Sequence, residues 1–198
     1  MLNIITSLLD ALFPPRDSEL IVRTVTVPKL LSLYRPGTHL RIEYLSNFQN
    51  PKVHALITEN KYYGNRRATN LLAKLITLHL KGVDCVLIPI PLHPKRERER
   101  GYNQVTVVLQ QSGLRVEDKL IKRIKYTTSQ TTLQKNERLE NIKGAFSVDT
   151  TKLMSYQNTH FILIDDVVTS GATLAAARAK LAPHLHPTSR LTCLALAH

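Results

Sequence analysis

The stretch Phe161-Ile-Leu-Ile-Asp-Asp-Val-Val-Thr-Ser-Gly-Ala-Thr173 constrains this chain more than any other. Four apolar residues run into two adjacent carboxylates, two valines and a short hydroxyl-rich turn, and an Ala-rich segment follows from Leu174. In order, this reads as buried strand, acidic pair, turn and helix. The backbone N–H groups of such a turn, together with a helix N-terminus, suit an anion such as phosphate. Ionised carboxylates only accept hydrogen bonds, so Asp165 and Asp166 suit hydroxyls or a hydrated cation. A molecule with a phosphate at one end and vicinal hydroxyls nearby, such as ribose 5-phosphate, fits both. Glycine at position 171 allows the backbone to approach an anion closely. The plainer alternative is a buried strand that ends in a solvated Asp-Asp turn, but that leaves the hydroxyl-rich loop unexplained.

The rest of the chain supplies a frame for this segment. Val83–Ile90 and Leu191–Ala197 read as further buried strands. Arg66–Leu80, Asn103–Gln111 and Ala172–Leu181 have helical character, and Pro183 lies just beyond the last. Strands alternating with helices predict an α/β fold with a parallel sheet flanked by helices. Ligands of such sheets sit beyond the carboxyl ends of the strands, where the turns Ile88–Arg100 and Asp165–Thr173 would open. Residues 14–60 are punctuated by Pro14, Pro15, Pro28, Pro36, Gly37 and Pro51. They predict a small N-terminal appendage of loops and short strands over 1–54, ahead of a main domain over 55–198. Arg115–Asn141 is polar and reads as a mobile segment with a short helix in its early part. Met1–Phe13 places Ile4, Ile5, Leu8, Leu9 and Leu12 on one stripe, an amphipathic helix rather than a signal peptide.

Composition narrows the partners. With 27 Lys and Arg against 15 Asp and Glu, the net charge is +12, which favours anionic or phosphorylated partners. No apolar run reaches the roughly 18 residues needed to span a bilayer, so no membrane partner is expected. The two cysteines, Cys85 and Cys193, lie in apolar runs and read as core residues, which makes a cytoplasmic location the expectation.

A second constellation is Pro89-Ile-Pro-Leu-His-Pro-Lys-Arg-Glu-Arg-Glu-Arg-Gly-Tyr-Asn-Gln104. Arg96 and Arg100 are four apart, so on a helical turn their guanidinium forks would face one way and suit a diphosphate. The bland alternative is a solvated charge run with Glu97 and Glu99 as local partners. His93 is a weaker candidate for a general base. Lys61, Arg66, Arg67, Lys74 and Lys81, with Tyr62 and Tyr63, form a stretch free of acids from 60 to 83. Such a stretch either binds single-stranded nucleic acid or is a solvated basic helix face, and the second is the simpler reading.

These residues carry a family resemblance. The Asp165–Thr173 segment resembles the phosphoribosyl-diphosphate (PRPP) binding motif of type I phosphoribosyltransferases. Residues 89–104 resemble the hallmark of the ComF family, a branch of that superfamily. Lys61-Tyr-Tyr-Gly64 and a third block, Arg123-Ile-Lys-Tyr-Thr127, Gln130, Leu133, Arg138, Asn141 and Gly144-Ala-Phe146, resemble the same family, so the likeness covers roughly residues 55–197. It implies a type I phosphoribosyltransferase-like domain. Asp165 and Asp166 would hold the ribose as catalytic residues, and Thr169, Ser170, Gly171, Ala172 and Thr173 would hold the 5-phosphate. Arg96, Arg100 and Arg138 would take the pyrophosphate, with Arg123–Arg138 as a lid. Mg²⁺ would bind mainly through PRPP, with no all-protein metal site. The implied activity is phosphoribosyl transfer to an acceptor that the sequence does not identify. The implied alternative is a non-catalytic protein of DNA uptake (competence) or repair that binds a nucleoside phosphate, single-stranded DNA or competence and repair proteins. Leu12-Phe-Pro-Pro-Arg16 resembles the lead-in to the family's zinc ribbon, but Asp17 and Ser18 follow and no cysteine precedes Cys85, so no zinc is expected.

Overall fold

The computed structural model describes residues 10, 14–126, 142 and 144–198. Helices α1 (Asp17–Thr24) and α2 (Val27–Leu33) lead into strands β1 (Gly37–His39) and β2 (Ile42–Ser46). Helices α3 (Pro51–Tyr63) and α4 (Arg66–His79) follow, then strand β3 (Val86–Pro89) and helices α5 (Pro94–Arg100) and α6 (Gln104–Gln111). Strands β4 (Ile121–Arg123) and β5 (Phe146–Val148), helix α7 (Thr150–Leu153), strand β6 (His160–Val167), helix α8 (Ala172–Leu181) and strand β7 (Arg190–Ala197) complete the order.

The main sheet runs β1-β2-β7-β6-β3. β2, β7, β6 and β3 are mutually parallel, and only β1 is antiparallel, to β2. Alternation along the strands sends side chains to two cores. Ile162 and Ile164 join Leu87, Leu194 and Leu196 in a cluster with residues of α1, α2, α3, α4 and α6. Phe161 and Leu163 join Val86, Ile88, Cys193 and Ala195 in a second cluster with residues of α8, β4 and β5. The sheet is therefore covered on both faces, as parallel strands require. Cys85 and Cys193 are both buried, and burial pushes their thiols up, Cys193 to about 11. No helix among the described residues is long and apolar enough to cross a membrane.

Local capping explains the helix boundaries. The Asn50 side chain accepts from Lys52 N at the start of α3, and Gly64, left-handed at φ 58°, ends it. Asn65 then accepts from Arg67 N and Ala68 N to start α4, and Asn103 accepts from Val105 N and Thr106 N to start α6.

Two regions differ from the sequence expectation. Residues 17–46 are not a loop-rich appendage: β2 pairs in parallel with β7, Val22, Leu30 and Leu33 lie in the first core, and the expected boundary at 54/55 falls inside α3. Proline and glycine spacing marked the turns there, but the short apolar runs between them gave no period to read. The early part of 115–141 holds no helix: Val116 bridges Leu87 in parallel, and β4 pairs antiparallel with β5. The Met1–Phe13 stripe and residues 127–141 lie outside the described residues, apart from Asp10.

The β1–β2 hairpin turns on Leu40 and Arg41, with φ of 52° and 62°. This left-handed conformation costs an ordinary L-residue about 1–2 kcal/mol. At the hairpin's base Gly37 lies opposite Tyr44, and a Cβ there would stand 2.5 Å from Tyr44 Cζ. Gly37→Ala should thus destabilise the protein by about 1–3 kcal/mol. Urea unfolding checks this, and an unchanged midpoint would show that the Tyr44 ring moves aside freely.

Candidate functional site

Successive side chains on a strand point to opposite faces of the sheet, and this rule divides the acidic pair. Asp165 follows the parity of Phe161 and Leu163, toward the side of α8, β4 and β5. Asp166 follows Ile162 and Ile164, toward the side of α3 and α6. The two carboxylates are adjacent in sequence but enter different surroundings.

Asp166 is buried and fully engaged. Lys61 Nζ, at the C-terminal end of α3, lies 2.7 Å from its Oδ2. Gln104 Nε2, in the first turn of α6, donates to the same oxygen at 3.0 Å, and Val167 N donates to Oδ1 at 2.8 Å. Burial alone would raise the Asp166 pKa, but the Lys61 charge and these hydrogen bonds outweigh it and hold the group below the usual carboxylate range. Burial likewise opposes the charge on Lys61, and the Asp166 carboxylate reverses that and raises its pKa. Gln104 is itself fixed: its Oε1 accepts from Arg100, and its backbone carbonyl accepts from Asn60 Nδ2 at 3.1 Å. Tyr102 Oη donates to the Asn60 carbonyl at 2.7 Å.

Asp165 is half-buried, and its Oδ1 accepts from Asp166 N at 2.9 Å. Burial first, and the Asp166 charge second, push its pKa up to about 7. The opposing charge on its side comes partly from Arg123 on β4. Burial lowers the Arg123 pKa, nearby Arg96 lowers it further, and Asp165 acts the other way. Arg96 and Asp165 thus both lie within electrostatic reach of Arg123.

Beyond β6 the chain turns sharply. Val168 N donates to the Ala197 carbonyl at 2.9 Å, and His198 Nδ1 donates to the Val168 carbonyl at 3.0 Å. Thr169 is exposed, Ser170 and Thr173 are half-buried, and Ala172 is buried in the first turn of α8. Gly171 is the α8 N-cap at φ 69°, so α8 opens with no side-chain cap. This positive φ is one reason for glycine. Contact is the other, since a Cβ there would stand 3.0 Å from Ile42 Cδ1.

The predicted residues therefore fall into two groups. Asp165 and the loop Thr169–Thr173 sit together at the carboxyl end of β6. Arg96 and Arg100 share α5 but serve different neighbours, Arg96 near Arg123 and Arg100 with Gln104 and the Tyr62 ring, 5.6 Å from its centroid. Arg138 and nearly all of the expected lid lie outside the described residues, whereas Arg123 is held in β4. His93 caps α5 by accepting from Lys95 N at 3.2 Å.

The basic stretch 61–81 is not one solvated face. Lys61 turns inward, and Arg67 donates to the carbonyls of Val22 and Val25. An open groove of about 400 Å³ lined by Val25, Val27, Arg67, Leu71 and Lys74 shares no residue with the site. The contacts that sequence reasoning missed are Lys61 and Gln104 on Asp166. Both lie in the quoted motif blocks, Lys-Tyr-Tyr-Gly and Arg-Gly-Tyr-Asn-Gln, so the signal was present and only the pairing was hidden.

No family model matches the chain. Competence protein F of Haemophilus influenzae is 36% identical over 92 residues, which are 44% of this chain and 40% of that protein. DNA utilization protein YhgH of Escherichia coli O6:H1 is 25% identical over 174 residues, 82% of this chain and 74% of that protein. Competence protein ComFC of Bacillus subtilis is 38% identical over 89 residues, 45% of this chain and 35% of that protein. The chain is similar to these three proteins. It matches less than half the length of competence protein F and of ComFC. Among solved structures, adenine phosphoribosyltransferase from Giardia lamblia with 9-deazaadenine superposes with a TM-score of 0.46 at 17% identity, covering 87% of this chain and 85% of that one.

The Lys61–Asp166 pair gives a direct test. Lys61→Met leaves a buried carboxylate without its cation and should destabilise the fold by about 3–5 kcal/mol. Combining it with Asp166→Asn should cost clearly less than the two single changes together, because each partner is needed by the other. Strict additivity in a denaturation cycle would show that the pair does not interact.

Proposed function

We propose that the carboxyl end of β6 binds the ribose 5-phosphate part of PRPP and that the protein transfers the phosphoribosyl group to an acceptor. One observation carries this reading: a half-buried carboxylate, Asp165, stands directly before a hydroxyl-bearing loop that feeds the N-terminus of α8. The loop offers hydrogen-bond donors to a phosphate, and Asp165 offers acceptors to sugar hydroxyls. Asp166 serves differently from the reading in which both carboxylates hold the ribose. Locked by Lys61 and Gln104, it positions Asp165 through its own N–H and contributes negative charge behind the sugar.

Transfer breaks the C1–O bond to pyrophosphate and builds positive charge on the ribose ring, as in glycoside cleavage. Carboxylates beneath the ring favour that charge. Arg96 and Arg123, two cations held close on the Asp165 side, suit the departing diphosphate. Mg²⁺ fits this donor set: the Asp165 carboxylate is half-buried at the end of β6, and a nearby divalent cation would hold it ionised. Such an ion would arrive with the diphosphate and supply charge neutralisation to the leaving group.

A second reading has its own support. Tyr62 and Tyr63 are 61% and 52% exposed, with Arg100 and Arg16 against their rings, and relatives are named for competence and DNA utilization. Exposed aromatics among cations suit single-stranded DNA. Salt-dependent binding of an oligo-dT strand that Asp165→Asn leaves unchanged would favour that reading over transfer.

Calorimetry with PRPP tests the main one. Binding should require Mg²⁺, and Asp165→Asn should weaken it about tenfold or more, since a hydrogen bond to a charged group is worth about 1.5–3 kcal/mol. Equal affinity in wild type and variant would remove Asp165 from the site. The pH dependence has a definite sign. The folded pKa of Asp165 lies above its unfolded value, so its contribution to stability is complete at low pH and is lost as pH rises through about 7. Mg-PRPP selects the ionised form, so affinity should rise from pH 6 to pH 8, and Asp165→Asn should flatten that slope. A wild-type affinity that does not change with pH would contradict the assignment.

A further inference from the structure

The Thr169–Thr173 loop lacks something that a phosphate dianion usually finds. From Val167 to Ala177 the chain carries no Lys or Arg, and Arg178 is two turns into α8. A neutral loop can orient a phosphate through N–H and hydroxyl groups, but a guanidinium adds charge and forked hydrogen bonds.

The structure places a hairpin that carries a cation beside this loop, from an unexpected quarter. The β1–β2 hairpin, at the N-terminal end of the chain, packs its tip on Gly171. A Cβ on Gly171 would stand 3.0 Å from Ile42 Cδ1, 3.4 Å from Leu40 Cδ1 and 3.8 Å from Leu40 Cβ. Arg41 is the residue between these two. It is exposed, and the described residues give it no ion pair or hydrogen bond. The tip is also an outlier: Leu40 and Arg41 both hold positive φ, where two-residue hairpins favour Asn-Gly. Strain of this kind persists where the surroundings enforce it, and it concentrates at ligand clamps. Here the surroundings are the two apolar contacts to Gly171, which hold hairpin and loop together.

We propose that Arg41 is a ligand for the phosphate held by the Thr169–Thr173 loop, presented by a hairpin whose left-handed tip is maintained by the packing of Leu40 and Ile42 on Gly171. The proposal rests on the phosphate-loop reading above and adds to it a residue from outside the loop and its helix. It also gives the N-terminal elements a role in the site: the hairpin that completes the edge of the sheet supplies the charge that the loop lacks.

Ribose 5-phosphate is the probe, since it carries the phosphate without the diphosphate that Arg96 and Arg123 would engage. By calorimetry, Arg41→Gln should bind it about tenfold more weakly, Arg41→Lys should keep most of the affinity, and Arg35→Gln, an exposed cation ahead of β1, should match wild type. Arg41→Gly removes the guanidinium, suits the positive φ at that position and leaves Leu40 and Ile42 on Gly171. It should lower affinity without lowering the thermal midpoint, which separates loss of the ligand from loss of the fold. Arg41→Gln binding within twofold of wild type would overturn the proposal, as would full affinity in Arg41→Gly. If wild type itself fails to bind ribose 5-phosphate, the phosphate-loop reading falls and this inference falls with it. An effect confined to the Arg41 variants concerns this inference alone.

Discussion

The contact of Lys61 with Asp166 is the interaction on which the rest of the site depends. A carboxylate at the end of a central strand, with helices packed on its side of the sheet, is costly unless a cation and hydrogen-bond donors meet it. Here α3 supplies Lys61, α6 supplies Gln104, and the next residue supplies a backbone N–H. The tie draws the C-terminal end of α3 and the N-terminal end of α6 to the same strand terminus. Asn60 and Tyr102 close the gap between those helices with two further hydrogen bonds. With Asp166 held ionised by these partners, Asp165 is left as the carboxylate turned toward the other face, and its charge is sensitive to pH and to cations.

The architecture was legible where the period was clear. Strands β3, β6 and β7 and helices α4, α6 and α8 follow from apolar runs, helical spacing and capping residues, and they fall within a few residues of the expected bounds. The hydroxyl-bearing loop and the acidic pair before it were legible as a local motif because their order along the chain is their order in space. The division of labour between Asp165 and Asp166 was implicit in strand alternation but needed the partners on each face to be known. Lys61 and Gln104 are 105 and 62 residues distant from Asp166, and no local pattern reports a contact across such separations. The place of β2 in the sheet was hidden for a related reason. Its five residues, Ile-Glu-Tyr-Leu-Ser, alternate only briefly, and what recruits them is the edge of β7.

The N-terminal elements deserve more weight than a loop-rich appendage would have. They extend the sheet, fill the first core through Val22, Leu30 and Leu33, and bring the Leu40–Ile42 tip against Gly171. A chain similar to competence protein F, ComFC and YhgH thus packs a hairpin from its N-terminal half against the loop after β6, with β6 an inner strand of the sheet and the hairpin at its edge.

A crystal structure with ribose 5-phosphate and Mg²⁺ tests the central claim most directly. The account predicts the phosphate on the backbone N–H groups of residues 170–173 and the ribose hydroxyls on Asp165, with Asp166 still bound to Lys61 and Gln104. A sugar phosphate lodged elsewhere, or an Asp166 that has left Lys61 to hold the ribose alone, would contradict it.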